Sequence, residues 1–269
     1  MASMIEDAAN TAGPPAVATV ARCWRYPVKS MQGLEVDEVR LTATGVVGDR
    51  THGLLDGTDG HLLSAKRTSA LLGAWATDDT VTLPDGVTLG LDDPALDEIL
   101  SAWLDRPVNL ATPAEAGTGE VSYRMTFDPP DDEAEAFDIP VPAGTFLDLA
   151  AVHVVTAATL DGCKAARPDL DWDVRRFRPN LLLDTDGPAF VEDGWAGREL
   201  RFGEVVLAVD GPTVRCAMPL RAQPGGIERQ PELFAAMSDL NEAAPNHLGV
   251  YCRVITPGLI RTGDTVELR

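Results

Sequence analysis

Residues 205–219 read VVLAVDGPTVRCAMP. A strongly apolar, β-prone run breaks at Gly211–Pro212, a turn signal, and a cysteine follows at once between Arg215 and Ala217. Together with the residues before it, GRELRFGEVVLAVDG (197–211) makes two strands. Upstream, VHVVT (152–156) is a strand, AATLDGCKAA (157–166) a short helix, and RFRPNLLLD (176–184) enters a further strand. Pro179 stands at that entry, where a missing ladder donor can be spared. Downstream, PELFAAMSDLNEA (231–243) is a helix, and GVYCRVI (249–255) and DTVELR (264–269) are strands around the turn TPGLIRTG (256–263).

The N-terminal half continues the pattern. VATVARCWRY (17–26) is a strand interrupted by Pro27, and VDEVRLT (36–42) alternates as a half-buried strand does. GLLD and HLLS flank GTDG (57–60), a hairpin signal, and VTLPDGVTLGL (81–91) is another around its PDG turn. DDPALDEILSAWL (92–104) reads as a helix, with acids and Pro94 at its start and Leu96, Ile99, Leu100 and Trp103 on one face. Residues 111–145 are rich in Pro, Gly and acids with little periodicity, the signature of a long acidic loop or lid. No internal repeat is visible. The sum is a β-rich α+β architecture, barrel-like, with a few peripheral helices.

Composition excludes several classes. A net charge of −20 repels nucleic acid and anionic membranes, so neither is an expected partner. No apolar run approaches the roughly 18 residues of a membrane span. The start, MASMIEDAANTAGPP (1–15), carries acids where a signal peptide needs bases. It reads as a disordered tail, and the expected location is the cytoplasm. Cys23, Cys163, Cys216 and Cys252 lack the spacing of a zinc or iron–sulfur site. Redox chemistry here would draw electrons from another protein.

Against this acidity, basic clusters are informative. YPVKSMQG (26–33) places Lys29 and Ser30 just past a strand broken by Pro27. In GVVGDR (45–50) two glycines permit a tight path, and Arg50 either grips a phosphate or pairs with Asp49. VRRFRPN (174–180) holds Arg175, Arg176 and Arg178 within four residues, either as an anion site or balanced by Asp169, Asp171 and Asp173. A lone cysteine is ordinarily a small buried hydrophobe. Cys216 differs in standing at a strand end beside Arg215, a setting that favours the thiolate, which suits a soft metal or nucleophilic sulfur chemistry. Cys23 and Cys252, inside strands, read as structural.

YPVKS, GDR, FRPN, a single cysteine beyond the next strands and a terminal PGLIRTGD together resemble the MOSC-domain family, and within it the molybdenum-cofactor amidoxime-reducing branch. The resemblance covers about residues 16–269. It implies a MOSC-type β-barrel over 146–269, preceded by an N-terminal β-barrel-like region over 16–145, and a pterin-based molybdenum cofactor. Cys216 falls at the position of the family cysteine whose sulfur binds molybdenum. Lys29 with Ser30, Arg50, Arg176, Arg178, Asn180 and Arg215 fall at or beside cofactor contacts. Thr156, Ser64 and Lys66 match polar positions lining the site, although SAK (64–66) departs from the Thr and Arg common there. The activity implied is reductive removal of oxygen from a small N-hydroxylated or N-oxide substrate. Its electrons would come from a ferredoxin-, flavin- or cytochrome-type protein. The alternatives are a cofactor carrier and a sulfur carrier or carbon–sulfur-cleaving protein acting through Cys216. The sulfurase branch also brings pyridoxal phosphate into view, although the domain that holds it there has no counterpart in this chain.

Overall fold

The computed structural model describes residues 16–117, 121–126, 130–131 and 133–269. The tail over 1–15, and residues 118–120, 127–129 and 132 of the acidic segment, lie outside the described residues.

Seven strands close into a barrel: β1 (Ala16–Arg25), β2 (Val152–Thr156), β3 (Leu181–Asp184), β4 (Glu199–Phe202), β5 (Val205–Val214), β6 (His247–Thr256) and β7 (Thr265–Leu268). Their order is β3-β2-β6-β5-β4-β7-β1, and β1 returns to pair with β3. Closure leaves no strand edge among the seven. The fold is thus the expected β-rich barrel with few helices. β1 lies far from its barrel neighbours in sequence, yet it alone bridges β3 and β7.

All pairings in the barrel are antiparallel except β2 with β3, which run parallel. Parallel neighbours need a crossover. Helix α2 (Ala157–Ala166) begins it directly at the end of β2. Thr156 caps the helix, accepting the Thr159 N–H at 3.2 Å. The barrel interior is filled by alternate strand residues, among them Val20, Val154, Leu183, Leu207, Val250 and both Cys23 and Cys252. Outside it, α2 and a second helix, α3 (Glu232–Leu240), bury a layer that includes Trp172, Phe177 and Leu233.

Two turns expected from the sequence are strand. Gly211–Pro212 does not end β5, which runs on to Val214 through irregularities between Val209 and Gly211 and between Pro212 and Val214. Bulges admit proline and bend the strand, so the chain arrives over the barrel mouth re-aimed. TPGLIRTG likewise contains a strand, Gly258–Arg261, which pairs with Glu38–Thr42 and ties the N-terminal region to the barrel. That region is built from short strand pairs and one helix, α1 (Leu96–Leu104), around its own core of Leu54, Leu71, Leu72, Val81 and Leu100. The HLLS segment makes only an isolated bridge, Leu55 with Leu62, in place of a full hairpin arm.

The segment read as a long loop carries a hairpin, Ser122–Thr126 paired with Ala136–Pro140. Its signal was hidden by the acids and prolines around it. Tyr123 from this hairpin joins Leu62 and Phe146 in a small core of its own.

Candidate functional site

A cleft opens at the barrel mouth, where several separate pieces of chain converge. The loop after β1 brings Lys29 and Ser30, and the turn after the strand Gly45–Val46 brings Arg50; residues 147–150 form a second wall, β2 adds His153, and the entry to β3 brings Arg178 and Asn180. The bulged end of β5 delivers Arg215 and Cys216, and Tyr251 arrives from β6. Cys216 is the one partly exposed cysteine of the four. Burial raises the other three thiols, Cys23 to about 11, Cys163 to about 12 and Cys252 further still.

The backbone at the cleft is unusual. Six described residues other than glycine have positive φ, and Ser30, Arg50 and Arg178 among them line the cleft. A fourth, Asn246, donates its side-chain amide to the Arg215 carbonyl at 3.1 Å. Such conformations cost on the order of 1–3 kcal/mol each and persist where the surroundings over-determine them. The anchors are visible. Asp49 accepts the Tyr26 N–H at 2.7 Å while the Arg50 N–H reaches the Tyr26 carbonyl at 2.7 Å. The Asn180 side-chain oxygen accepts the His153 N–H at 3.1 Å and its carbonyl accepts the Trp24 N–H at 2.9 Å, so it stitches β1 and β2 at the point of closure.

The three arginines of VRRFRPN have three different destinations, because the chain turns tightly there. Arg175 pairs with Asp173 at 2.8 Å on the surface. Arg176 is fully buried and points into the protein, donating to the Pro219 and Glu228 carbonyls at 2.9 Å and to Asp171 at 2.9 Å. Arg178 is buried in the cleft, its guanidinium 4.1 Å from the Tyr26 ring centroid, and neither of its terminal nitrogens has a hydrogen-bond partner.

Electrostatics follow from this placement. Burial, aided by Arg50, lowers Arg178 to about 10. Burial also lowers Lys29 to about 8, against the pull of Asp148. Arg215 is lowered by burial and His153 is held well below its usual value, by burial first and Arg215 second. Lys29 and Lys66 both pair with Asp148, Lys66 at 2.9 Å, and both face the Tyr123 ring, Lys66 at 3.8 Å. Burial opposes ionisation of Asp148, but the two lysines hold its carboxyl below the usual range. One carboxylate cannot neutralise Lys29, Lys66, Arg178 and Arg215. The cleft carries surplus positive charge with unused donors.

The remaining expected site residues lie elsewhere. Ser64 lines a neighbouring cavity. Thr156 is fully buried and donates its hydroxyl to Glu192 at 2.8 Å, so its side chain is committed to the helix cap. Arg176 serves as an internal clamp. Residues the sequence reading missed include Asp148, Tyr123, Tyr26 and His153. Asp148 stands in TFLDLA (145–150), an apolar context with no charge pattern to mark it.

Fold and cleft define a closed β-barrel protein with a basic cleft and a free thiol at the barrel mouth. Comparison with known proteins narrows this. A sequence profile described as "MOSC domain" matches residues 143–267, and another described as "MOSC N-terminal beta barrel domain" matches residues 17–103. The chain belongs to the MOSC-domain family and carries both parts. Over 94% of its length it is 25% identical to "Mitochondrial amidoxime-reducing component 1" of Mus musculus, covering 82% of that protein, and equally to the Homo sapiens protein, covering 83%. A stretch of 82 residues, 30% of the chain, is 39% identical to "Molybdenum cofactor sulfurase" of Drosophila pseudoobscura pseudoobscura, of which it covers 10%. Among solved structures, the YUAD protein from Bacillus subtilis aligns over 94% of this chain and 95% of its own, at 13% identity and a TM-score of 0.46. No helix among the described residues is long and apolar enough to cross a membrane.

Proposed function

We infer that the cleft holds a pterin-based molybdenum cofactor and that the protein uses it to reduce small N-oxygenated compounds. The observation that carries this is Arg178, a buried guanidinium whose terminal nitrogens lack partners, in the same cleft as the only partly exposed thiol. Unpaired buried donors fit a phosphate, for which arginine is suited by geometry and charge. A thiol fits a soft metal. The cofactor supplies two-electron redox chemistry at a metal able to take oxygen from nitrogen.

This chain's own residues bind and orient. Lys29, Arg178 and Arg215 compensate the phosphate charge, and Arg50 flanks them across the Tyr26 ring, 5.0 Å from its centroid. Asn180, already bonded to two strands, keeps the Arg178 corner from relaxing. Cys216 would be the protein's ligand to the metal. His153, neutral through burial, adds no charge beside Arg215, from which it lies 3.4 Å. In the overall reaction the N–O bond breaks, two electrons and two protons enter, and the reduced nitrogen compound and water leave. The electrons come from a separate electron-transfer protein, and a net charge of −20 suits a basic docking face on it. A transfer rate unaffected by salt would count against that docking mode.

The test is molybdenum per chain for the parent and Cys216→Ala, both expressed in a host that makes the cofactor, followed by turnover of an amidoxime with a chemical reductant. Near-stoichiometric metal and turnover in the parent, with both altered in the variant, are expected. A metal-free parent, made while the host's own molybdenum enzymes are active, overturns the reading. The similarity to a cofactor sulfurase favours a second role, sulfur carriage on Cys216. It would appear as a mass increment on that cysteine removable by reducing agent.

A further inference from the structure

His61 occupies a place that neither the cleft nor the proposed reaction explains. Its ring nitrogens meet two carboxylates from two pieces of chain: Nδ1 lies 3.0 Å from Asp59 in its own turn, and Nε2 lies 3.1 Å from Asp138 on the hairpin. Nε2 is placed to donate to Asp138, whereas Nδ1 makes no hydrogen bond in this geometry, so Asp59 attracts the ring only as an ion pair, an attraction the neutral imidazole loses. Arg124, also on the hairpin, faces the same two acids at 2.9 Å and 3.6 Å. Beyond this cluster the adjoining cavity presents Arg67, Arg106 and Asp56, the last two paired with each other.

The hairpin so fastened reaches the cleft. Its first strand accepts the Leu62 N–H at the Ser122 carbonyl, 2.9 Å. The next residue, Tyr123, is 2% exposed and packs on Leu62 and Phe146. Its ring faces the ammonium groups of Lys66 at 3.8 Å and Lys29 at 5.1 Å, and the Phe146 carbonyl accepts from Lys29 at 2.8 Å. One continuous set of contacts therefore joins His61 to the lysine pair.

We propose that His61 is a positioning residue for the cleft: as imidazolium it bridges Asp59 and Asp138, clamps the paired strands Ser122–Thr126 and Ala136–Pro140, and so seats Tyr123 against Lys29 and Lys66. The clamp is a proton-dependent one. The Asp138 and Asp59 contacts raise His61 above its ordinary 6.5, against desolvation and Arg124. For a raised histidine the stabilisation is complete below the unfolded value and is lost as pH rises through the folded one. The hairpin is held firmly in mild acid and loosens towards the alkaline side. This inference does not depend on which cofactor the cleft takes.

The test uses the chain's scarcity of lysine. With only Lys29, Lys66 and Lys164 present, acetylation by acetic anhydride can be read residue by residue by mass spectrometry, and exposed Lys164 is an internal reference. In the wild type the Lys66 to Lys164 ratio should rise about two- to tenfold between about pH 6 and about pH 8, the scale of one or two partly exposed charged pairs. In His61→Gln the ratio should already be high at the acid end and stay flat. Asp138 is more than half exposed, so Asp138→Asn leaves packing intact and should give the same rise, displaced to lower pH. A flat wild-type ratio, or variants that follow the wild-type course, overturns the proposal.

Discussion

Arg176 and Arg178, separated by one residue, should respond to the same substitution in opposite ways. Arg176→Leu removes the donors to the Pro219, Arg221 and Glu228 carbonyls and the partner of Asp171. Each buried acceptor left without a partner costs about 1–3 kcal/mol, whereas the Asp171 carboxylate, 40% exposed, stays solvated when its partner goes. With three such carbonyls the whole loss should be at least about 3 kcal/mol, or a fall of roughly 10 °C in Tm for a chain of 269 residues. Arg178→Leu removes no hydrogen bond from the terminal nitrogens. Burial lowers that guanidinium from 12.5 to about 10, so relieving it returns about 3 kcal/mol, while the lost stacking on Tyr26 takes back about 1–2 kcal/mol. Leucine and arginine suffer similarly at φ 53°, so the backbone contribution cancels. Calorimetric unfolding of the parent and both variants, all made cofactor-free in a host that cannot make the cofactor, decides the matter, with molybdenum content measured separately on protein from a host that makes it. Arg178→Leu should unfold at or slightly above the parent temperature yet lose most of its metal. If it is destabilised as much as Arg176→Leu, its nitrogens have structural work and the assignment of Arg178 to an anion in the cleft fails.

Three further outcomes follow from the same structure. Lys29, lowered to about 8, is charged below that value and neutral above it, so phosphate affinity measured by calorimetry should fall as pH passes about 8; in Lys29→Met that fall should vanish. Thr156→Val removes a helix cap and a hydrogen bond to Glu192, which should cost about 1–3 kcal/mol in urea unfolding with molybdenum content unchanged; metal loss without destabilisation would return Thr156 to the cofactor. Gly249 has φ 77°, and a Cβ there would stand 2.6 Å from the Val154 carbonyl and 2.7 Å from His153. Gly249→Ala should therefore cost about 3 kcal/mol and displace His153, visible as a changed imidazole resonance.

The barrel was legible because its strands carry their signal locally. VHVVT, LLLD and VYCRV are apolar runs between turn signals, and no other element suits them. Register and closure were not legible, since the pairing of β1 with β3 joins residues about 160 positions apart and no periodicity encodes that partner. Bulges defeat turn rules for a related reason: Gly211–Pro212 has turn chemistry, but the facing strand β6 continues past it and its hydrogen bonds decide. At the cleft, unusual charge in an acidic chain was enough to single out Lys29, Arg50 and Arg178, and a strand-end place beside Arg215 singled out Cys216. It could not separate Arg178 from Arg176, because which side of a tight turn faces a cavity is a property of the packed structure. Asp148 and Tyr123 were invisible for the opposite reason. An acid in an acidic chain and an aromatic in an apolar context carry no contrast.

The cleft concentrates two kinds of instability that folding alone would avoid. Ser30, Arg50 and Arg178 hold backbone conformations costly for side-chain-bearing residues, and Lys29, Arg178 and Arg215 are buried cations short of counter-charge. Either could be relieved cheaply, the first by glycine and the second by leucine or glutamine. The structure instead spends additional interactions on maintaining them. Asp49 fixes the Arg50 corner through the Tyr26 backbone, Asn180 locks the Arg178 corner to two barrel strands, and Asn246 braces the Arg215 carbonyl. Scaffolding that holds donors in an unfavourable arrangement has a use when a ligand later meets those donors, because the reorganisation has then been completed before binding. The closed barrel makes this affordable: with no free edge and a continuous core beneath the mouth, the strain at its rim has nowhere to relax.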